Sequence, residues 1–292
     1  MTKSSSSKLP WWRRLLPGRW REPRPVVAVL RLTGAIGAVS PLKSGLTLHQ
    51  LDDAIEKAFA LKGAKAVALA INSPGGSPVQ SALIYRRIRE LAEEKELPVY
   101  AFAEDVAASG GYMLALAGDE IYGDVSSIIG SIGVISAGFG FDKAIKKLGV
   151  ERRVHTAGLN KLSLDPFSPE KEEDVKRLKD LQLNIHEAFI AMVRERRGDK
   201  LNGPDEELFS GAFWSGGPAL ELGLIDGLQH MRSFLRAKYG DKVALKVMTA
   251  EKGWLKKRLG LARGPQALLP RDWAGDMIAA LEERGLWSRF GM

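Results

Sequence analysis

The sequence contains no cysteine among its 292 residues. That excludes a disulfide framework, a thiolate nucleophile and a cysteine-ligated zinc site, and leaves the redox compartment open. Histidine is scarce too: His49, His155, His186 and His230 lie far apart, without the i, i+4 spacing of a metal-binding helix. No metal and no cofactor is expected. No apolar run approaches the ~18–20 residues that cross a bilayer. Residues 1–24 also lack the h-region of a signal peptide, because Trp11-Trp12 and Leu15-Leu16 are split by Arg13-Arg14 and followed by Pro17. The expected location is therefore cytoplasmic.

The net charge of +8 would suggest nucleic acid were it spread along the chain, but it is concentrated at the ends. Residues 1–24 hold seven basic residues against one acidic, and residues 252–292 hold eight against four, which leaves the middle slightly acidic. Trp11, Trp12, Trp20, Trp254, Trp273 and Trp287 share those ends. Basic charge interleaved with Trp and Leu suits an anionic lipid interface. The expectation is peripheral contact with the inner membrane face, and no nucleic-acid partner. The organisation expected is a basic Trp-rich arm over 1–24, one catalytic domain over 25–240, and a basic amphipathic extension over 241–292.

Within the domain, strands and helices alternate. Val26–Leu32 and Ala66–Ile71 are nearly continuous apolar runs of the kind buried on both faces. Leu48, Leu51, Ile55 and Phe59 have helical spacing between them, as do Leu83, Ile84, Ile88 and Leu91 in the helix expected over Val79–Leu91. Val99–Phe102 reads as a third strand. The order predicts an α/β fold with a mainly parallel sheet and flanking helices. A short helix at Gly110–Ala117 and a brief strand at Glu120–Tyr122 follow. A long helix is predicted to begin with Ser168 as N-cap and Pro169 as first residue, its apolar stripe running through Val175, Leu178, Leu181, Ile185, Phe189 and Met192.

Two glycine-rich elements follow predicted strands, where open α/β sheets place ligands. Asn72-Ser73-Pro74-Gly75-Gly76-Ser77 can turn backbone N–H groups toward one point, as an oxyanion hole requires. In Asp105-Val106-Ala107-Ala108-Ser109-Gly110-Gly111-Tyr112, Ser109 heads a helix of small residues, and the Gly110 N–H can join the same hole. A Ser-Gly-Gly turn alone is more often a helix cap than a nucleophile; the pairing of the two loops is what singles out Ser109.

A nucleophilic serine needs a base. The loops resemble those of Clp-type proteases, which place a histidine about 25 residues past the serine, but here that region reads Gly133-Val134-Ile135. His155 sits in a basic run without a carboxylate to orient it, so a Ser-His-Asp triad is not expected. Lysine can replace histidine where burial lowers its pKa. Lys161 stands out for its surroundings, Ala157 to Phe167, which hold few competing charges, although a lone loop lysine is ordinarily a surface residue.

Four segments in order, Asn72–Gly76, Ala107–Tyr112, Gly130-Ser131-Ile132-Gly133-Val134 and the Gly158–Lys161 loop before Asp165-Pro166-Phe167, resemble the signal peptide peptidase A (protease IV/SohB-like) serine peptidases. The resemblance spans about Val26 to Leu235 and implies a crotonase/Clp-like core. It implies Ser109 as nucleophile, Lys161 as general base, Ser131 as the hydroxyl that orients the lysine, and Gly76 and Gly110 as the oxyanion hole. Hydrophobic peptides, including signal-peptide remnants, are the implied substrates. A single-copy chain of this kind is expected to form a ring-like homo-oligomer in which the lysine reaches a neighbouring subunit's serine. An added strand beside Val99–Phe102 is the expected mode of peptide binding. The resemblance also covers Gly211–Ser215, where Trp214 reads as structural. Two other readings remain at this point: a crotonase-type acyl-CoA hydratase or isomerase, and an inactive membrane-associated scaffold.

Overall fold

The computed structural model describes residues 24–37, 45–249 and 284–291. The N-terminal arm and most of the basic C-terminal stretch, with their lipid-facing expectation, lie outside the described residues, Trp287 excepted. Strands β1 (Val26–Thr33), β2 (Ala64–Ser73) and β3 (Val99–Ala108) run parallel, with Leu30 opposite Leu69 and Leu69 opposite Ala101. Helices α1 (Leu48–Phe59) and α2 (Pro78–Lys95) make the crossovers. Ser77 caps α2 by accepting the Gln80 N–H, and Pro78 occupies the first turn, where no amide donor is missed.

The β3 strand is longer than its apolar run suggests and carries the chain straight to Ser109. Its first half pairs with β4 (Glu120–Gly123) and its second half with β5 (Ile128–Gly130), while β2 occupies its other side. A peptide therefore cannot add beside Val99–Phe102, because both edges there are already hydrogen-bonded. Three further strands complete an eight-stranded sheet: β6 (Phe213–Trp214) antiparallel to β5, β7 (Gly227–Leu228) on β4, and β8 (Ala244–Met248) on β1. The sheet thus takes in part of the stretch expected to be the C-terminal extension.

One face of the sheet, with Leu30, Leu32, Leu69, Ile71 and Ala101, packs under α1, α2, the short α3 (Gly110–Ala115) and the C-terminal half of a long helix. The other face carries Tyr100, Phe102 and Tyr122 beneath Phe234 and Leu235, and, further along β3, Val106 and Ala108 beneath Phe290 and Trp287. Trp287, expected at a lipid surface, is partly buried there.

Five helices connect the rest: α4 (Asp142–Lys147), the long α5 (Glu172–Arg197), and the short α6 (Asp205–Leu208), α7 (Gly216–Glu221) and α8 (Met231–Tyr239). The α5 helix begins four residues after the predicted cap Ser168, whose hydroxyl instead donates to Asp165 at 2.9 Å and is engaged in the preceding turn. Its stripe is buried only in its second half, at Phe189 and Val193; Leu181 is 56% exposed.

The end of α5 anchors the region behind α3. Arg197, 3% exposed, donates to the Gly223 carbonyl at 2.8 Å and to Asp226 at 2.7 Å, and Lys200 and the Ile121 N–H also reach Asp226. The buried Tyr112 hydroxyl of α3 donates to the Leu224 carbonyl at 2.7 Å in the same loop. Burial acts to raise the Asp226 carboxyl, but the hydrogen bonds from Arg197 and Lys200 outweigh it and hold its pKa below the ordinary value. Removing one partner of such a pair strands the other. Asp226→Ala is expected to cost roughly 3–5 kcal/mol in urea denaturation, with the wild-type stability from this carboxylate present above ~pH 4 and declining as pH falls through its folded value.

Candidate active site

Ser109 sits where β3 turns abruptly into α3, and its backbone is left-handed, φ 53° and ψ −121°. A non-glycine residue held there costs roughly 1–3 kcal/mol, which the surroundings must supply. Its N–H donates to the Gly130 carbonyl at 2.7 Å, and its own carbonyl accepts from the Tyr112 and Met113 N–H groups. The hydroxyl caps nothing and makes no hydrogen bond among the described residues. A sharp strand-to-helix turn that leaves its serine hydroxyl unengaged is the arrangement a nucleophile needs.

The next residue beyond that carbonyl, Ser131, is likewise left-handed at φ 52° and buried, 4% exposed. Its N–H donates to the Ala212 carbonyl at 2.7 Å and its carbonyl accepts from Gly133. Trp214 closes this turn from the β6 side: a methyl group at Gly130 would lie 2.7 Å from the indole ring. The structural reading of Trp214 is consistent with that contact.

The Pro-Gly-Gly loop approaches from β2. A register shift between Ile71 and Ser73 swings the strand end out, with Asn72 donating to Asp105 at 2.6 Å and accepting the Val106 N–H at 3.3 Å. Ser73 then accepts the Gly75 N–H at 3.2 Å. Gly75 lies so close to the nucleophile turn that a Cβ there would be 2.8 Å from both the Ser109 Cβ and the Gly110 nitrogen. The two adjacent glycines look alike in the sequence, and the close approach to the serine turn belongs to Gly75. Gly76, at φ 142°, lies against the Ile36 backbone. The N–H groups of Gly76 and Gly110 donate to no acceptor among the described residues.

Ser109, Ser131, Gly75 and Gly110 are thus brought together. Lys161 is not joined to them by any hydrogen bond or ion pair within the protomer. It lies in an exposed turn, its N–H bonded to the Gly158 carbonyl, on an arm that runs from residue 135 to residue 170. The arm displays Ile135, Phe139, Leu148, Val150 and Leu159 to solvent, with Phe139 80% exposed. The rest of the described residues leave these apolar side chains uncovered.

The arm has an internal clamp. The Arg152 guanidinium bonds Asp165 and stacks 4.8 Å over the Phe167 ring, which packs on Phe141, while the Ser168 hydroxyl and Phe167 N–H also reach Asp165. Buried Asp174 accepts the Leu164 N–H and pairs with Arg177. The Arg152 hydrogen bond, helped by Ser168 and Phe167, pulls the Asp165 carboxyl down to about 2.

His155 is exposed on the arm, and the Nε2 of His186 lies 3.0 Å from the Ile132 carbonyl. Among the described residues no group of three or more His, Asp or Glu could hold a metal ion, and no helix is long and apolar enough to cross a membrane. A cavity of about 670 Å³ opens on the other sheet face beside Phe102, Asp124, Ile128 and His230, and none of the glycine-loop residues line it.

Two outcomes follow. Gly75→Ala is expected to slow covalent labelling of Ser109 by a fluorophosphonate at least tenfold while the far-ultraviolet circular dichroism is kept, since the added methyl displaces the Ser109–Gly110 turn. The Asp165 clamp, whose folded pKa lies below the ordinary ~3.9, is stabilising above ~pH 4 and is lost as pH falls toward 2; limited proteolysis within residues 135–170 should accelerate over that window, and Asp165→Asn should accelerate it at neutral pH.

Comparison with known proteins accords with this geometry. The sequence profile of peptidase family S49 matches residues 91–244, just over half of the chain, including Ser109, Ser131 and Lys161. A Brucella abortus protein that bears the name Na(+)/H(+) antiporter NhaA is 56% identical over 287 residues, 96% of this chain and 39% of that protein. The chloroplastic serine protease SPPA of Arabidopsis thaliana is 33% identical over 213 residues, 70% of this chain and 31% of that one. A Synechocystis protein named as a protease is 31% identical over 208 residues, covering 70% of each. The chain therefore spans about two fifths or less of the length of the first two relatives. Among solved structures, the 1510-N membrane-bound stomatin-specific protease superposes with a TM-score of 0.50 at 17% identity, over 79% of this chain and all of that one, a likeness of fold. The α/β, Clp/crotonase-like sheet, the serine turn and the profile match together assign the chain to peptidase family S49, alongside serine-type proteases of the SppA and SohB kind.

Proposed function

We propose that the protein is a serine endopeptidase that hydrolyses apolar peptides, with Ser109 as nucleophile and Lys161 of a second copy as general base. The observation that carries the reading is the division of the parts. Ser109 is strained, with its hydroxyl unengaged, beside two unengaged N–H groups, whereas the lysine stands on an apolar arm that the protomer leaves uncovered. In this reading the Lys161 amine takes the Ser109 proton as Oγ attacks the scissile carbonyl. The N–H groups of Gly76 and Gly110 receive the oxyanion, and Ser131 orients the amine. The lysine then gives its proton to the leaving amine, and water releases the acyl group from Ser109. A ring-like homo-oligomer would bury Phe139, Leu148 and Leu159, each worth roughly 1.5–3 kcal/mol on full burial.

The peptide finds its strand partner not on β3 but on residues 134–140, a stretch outside helix and strand directly after the Ser131 turn, whose backbone groups are unpaired among the described residues. Work at the membrane surface, including on signal-peptide remnants, is part of the proposal. It draws on the basic Trp-rich ends and on the Brucella relative, whose name is that of a membrane transporter.

Ser109→Ala and Lys161→Ala should each reduce hydrolysis of an unstructured apolar peptide by at least ~10³-fold. Mixing the two inactive variants after reversible dissociation should restore measurable activity, because intact serines then meet intact lysines across copies. Two variants that each retain wild-type turnover would overturn the reading, and failure of the mixture alone would place the base within the same chain.

A further inference from the structure

Residues 284–291 come from far along the chain and pack behind the nucleophile strand. They form a turn of helix and a closing bend, in which the Phe290 N–H donates to the Trp287 carbonyl at 2.9 Å and the Ser288 hydroxyl to the Gly285 carbonyl at 3.1 Å. Among the described residues no hydrogen bond or ion pair ties this turn to the sheet. Its two aromatic rings hold it there. Phe290, 7% exposed, shares one apolar cluster with the fully buried Val106 and Ala108, and the partly buried Ile128 and Trp287 pack against that cluster. The Phe290 ring also meets the Phe213 ring edge-on, with centroids 5.1 Å apart and planes at 73°.

The location of these contacts is what gives them a bearing on the serine. Val106 and Ala108 are the last residues of β3 on this face, and Ala108 directly precedes Ser109. Ile128 opens β5, which ends at Gly130; the Gly130 carbonyl accepts the Ser109 N–H, and the next residue is Ser131. Phe213 of β6 is paired with Gly130. One ring thus spans the three strand ends from which both serines of positive φ are held. Ala108 offers only a methyl group to this side, so the strand cannot fill the space behind the nucleophile turn by itself. The filling comes from Phe290.

We propose that Phe290 is a positioning residue for Ser109: by filling the rear of the β3, β5 and β6 ends it fixes the Ser109 turn against the Ser131 turn, and with it the aim of the unengaged hydroxyl. Trp287 seats the turn, and Phe213 supplies the opposing ring. Loss of the Phe290 ring leaves a void into which the strand ends relax, and misplacement of reacting atoms by about 1 Å is enough to cost about 10²-fold in rate. The proposal rests on the peptidase reading above and adds to it a residue that acts through Ser109 and not on the peptide.

The test uses the full chain carrying Phe290→Ala or Phe290→Leu, each compared with the wild type far below its urea midpoint so that only folded protein is read. Phe290→Ala is expected to lower both kcat on an unstructured apolar peptide and the rate of Ser109 labelling by a fluorophosphonate by roughly 10- to 100-fold, with KM and the sedimentation coefficient unchanged. Phe290→Leu, which refills most of the void, is expected to recover most of both rates. Wild-type rates per folded molecule in Phe290→Ala, whatever its urea midpoint, overturn the proposal and make the role of the ring one of stability alone. A loss confined to KM also overturns it, as does a loss accompanied by a changed sedimentation coefficient. Where Phe290→Ala does not fold, Phe213→Ala removes the opposing ring from a position that is 44% exposed, and an unaltered labelling rate there overturns the proposal. Hydrolysis that survives Ser109→Ala overturns the peptidase reading instead, and is recognised without any Phe290 variant because no fluorophosphonate adduct then forms on the active species.

Discussion

The hydrogen bond from the Ser109 N–H to the Gly130 carbonyl joins the ends of two neighbouring parallel strands, β3 and β5, and each strand leads directly into a serine with positive φ. Neither conformation is comfortable for a residue with a side chain. Each is held from outside: Ser109 by the α3 helix packed under Gly75, and Ser131 by the Ala212 carbonyl and the Trp214 ring against Gly130. The sheet order makes this arrangement attainable. At its far end β3 is paired on both sides, Ala107 with Ser73 of β2 and with Ile129 of β5, and this braces the turn that follows. The ionic cluster of Arg197, Lys200 and Asp226, with Tyr112 reaching the adjacent loop, then secures α3 from behind.

Much of this was legible in the amino-acid order. The buried strands β1 to β3 and the two crossover helices are written as apolar runs separated by helical spacing, because burial on both faces leaves no polar alternation to confuse them. The β5, β6 and β7 strands were not legible. They are two or three residues long, and a segment such as Ile128–Gly130 has no periodicity to read; it is a strand only because Val106–Ala108 lies beside it. The beginning of α5 was misplaced for a related reason. Ser168 has the right chemistry for a cap, but Asp165 takes its hydroxyl first, through a local turn whose other partner, Arg152, lies 13 residues upstream.

The candidate site was legible to the same degree and with the same limit. Ser109, Ser131 and Gly110 stood in recognisable motifs, and the structure gathers them. Gly75 was hidden behind Gly76, since two adjacent glycines look alike in a sequence and only the 2.8 Å approach to the serine turn distinguishes them. The arm that carries Lys161 reads as ordinary chain, with phenylalanines and leucines that would be assigned to a core. Their exposure is a tertiary fact, set by an arm that folds onto its own Arg152–Asp165 clamp and not onto the sheet.

That clamp has a consequence for how copies of the chain would meet. The loop bearing Lys161 is shaped by contacts within a single protomer, so its backbone order is established before any second copy arrives. In the oligomer proposed above, association would resemble the docking of preformed bodies, whose main entropic cost is translational and rotational, rather than a folding event coupled to binding. The lysine would then be presented in the same posture at each encounter.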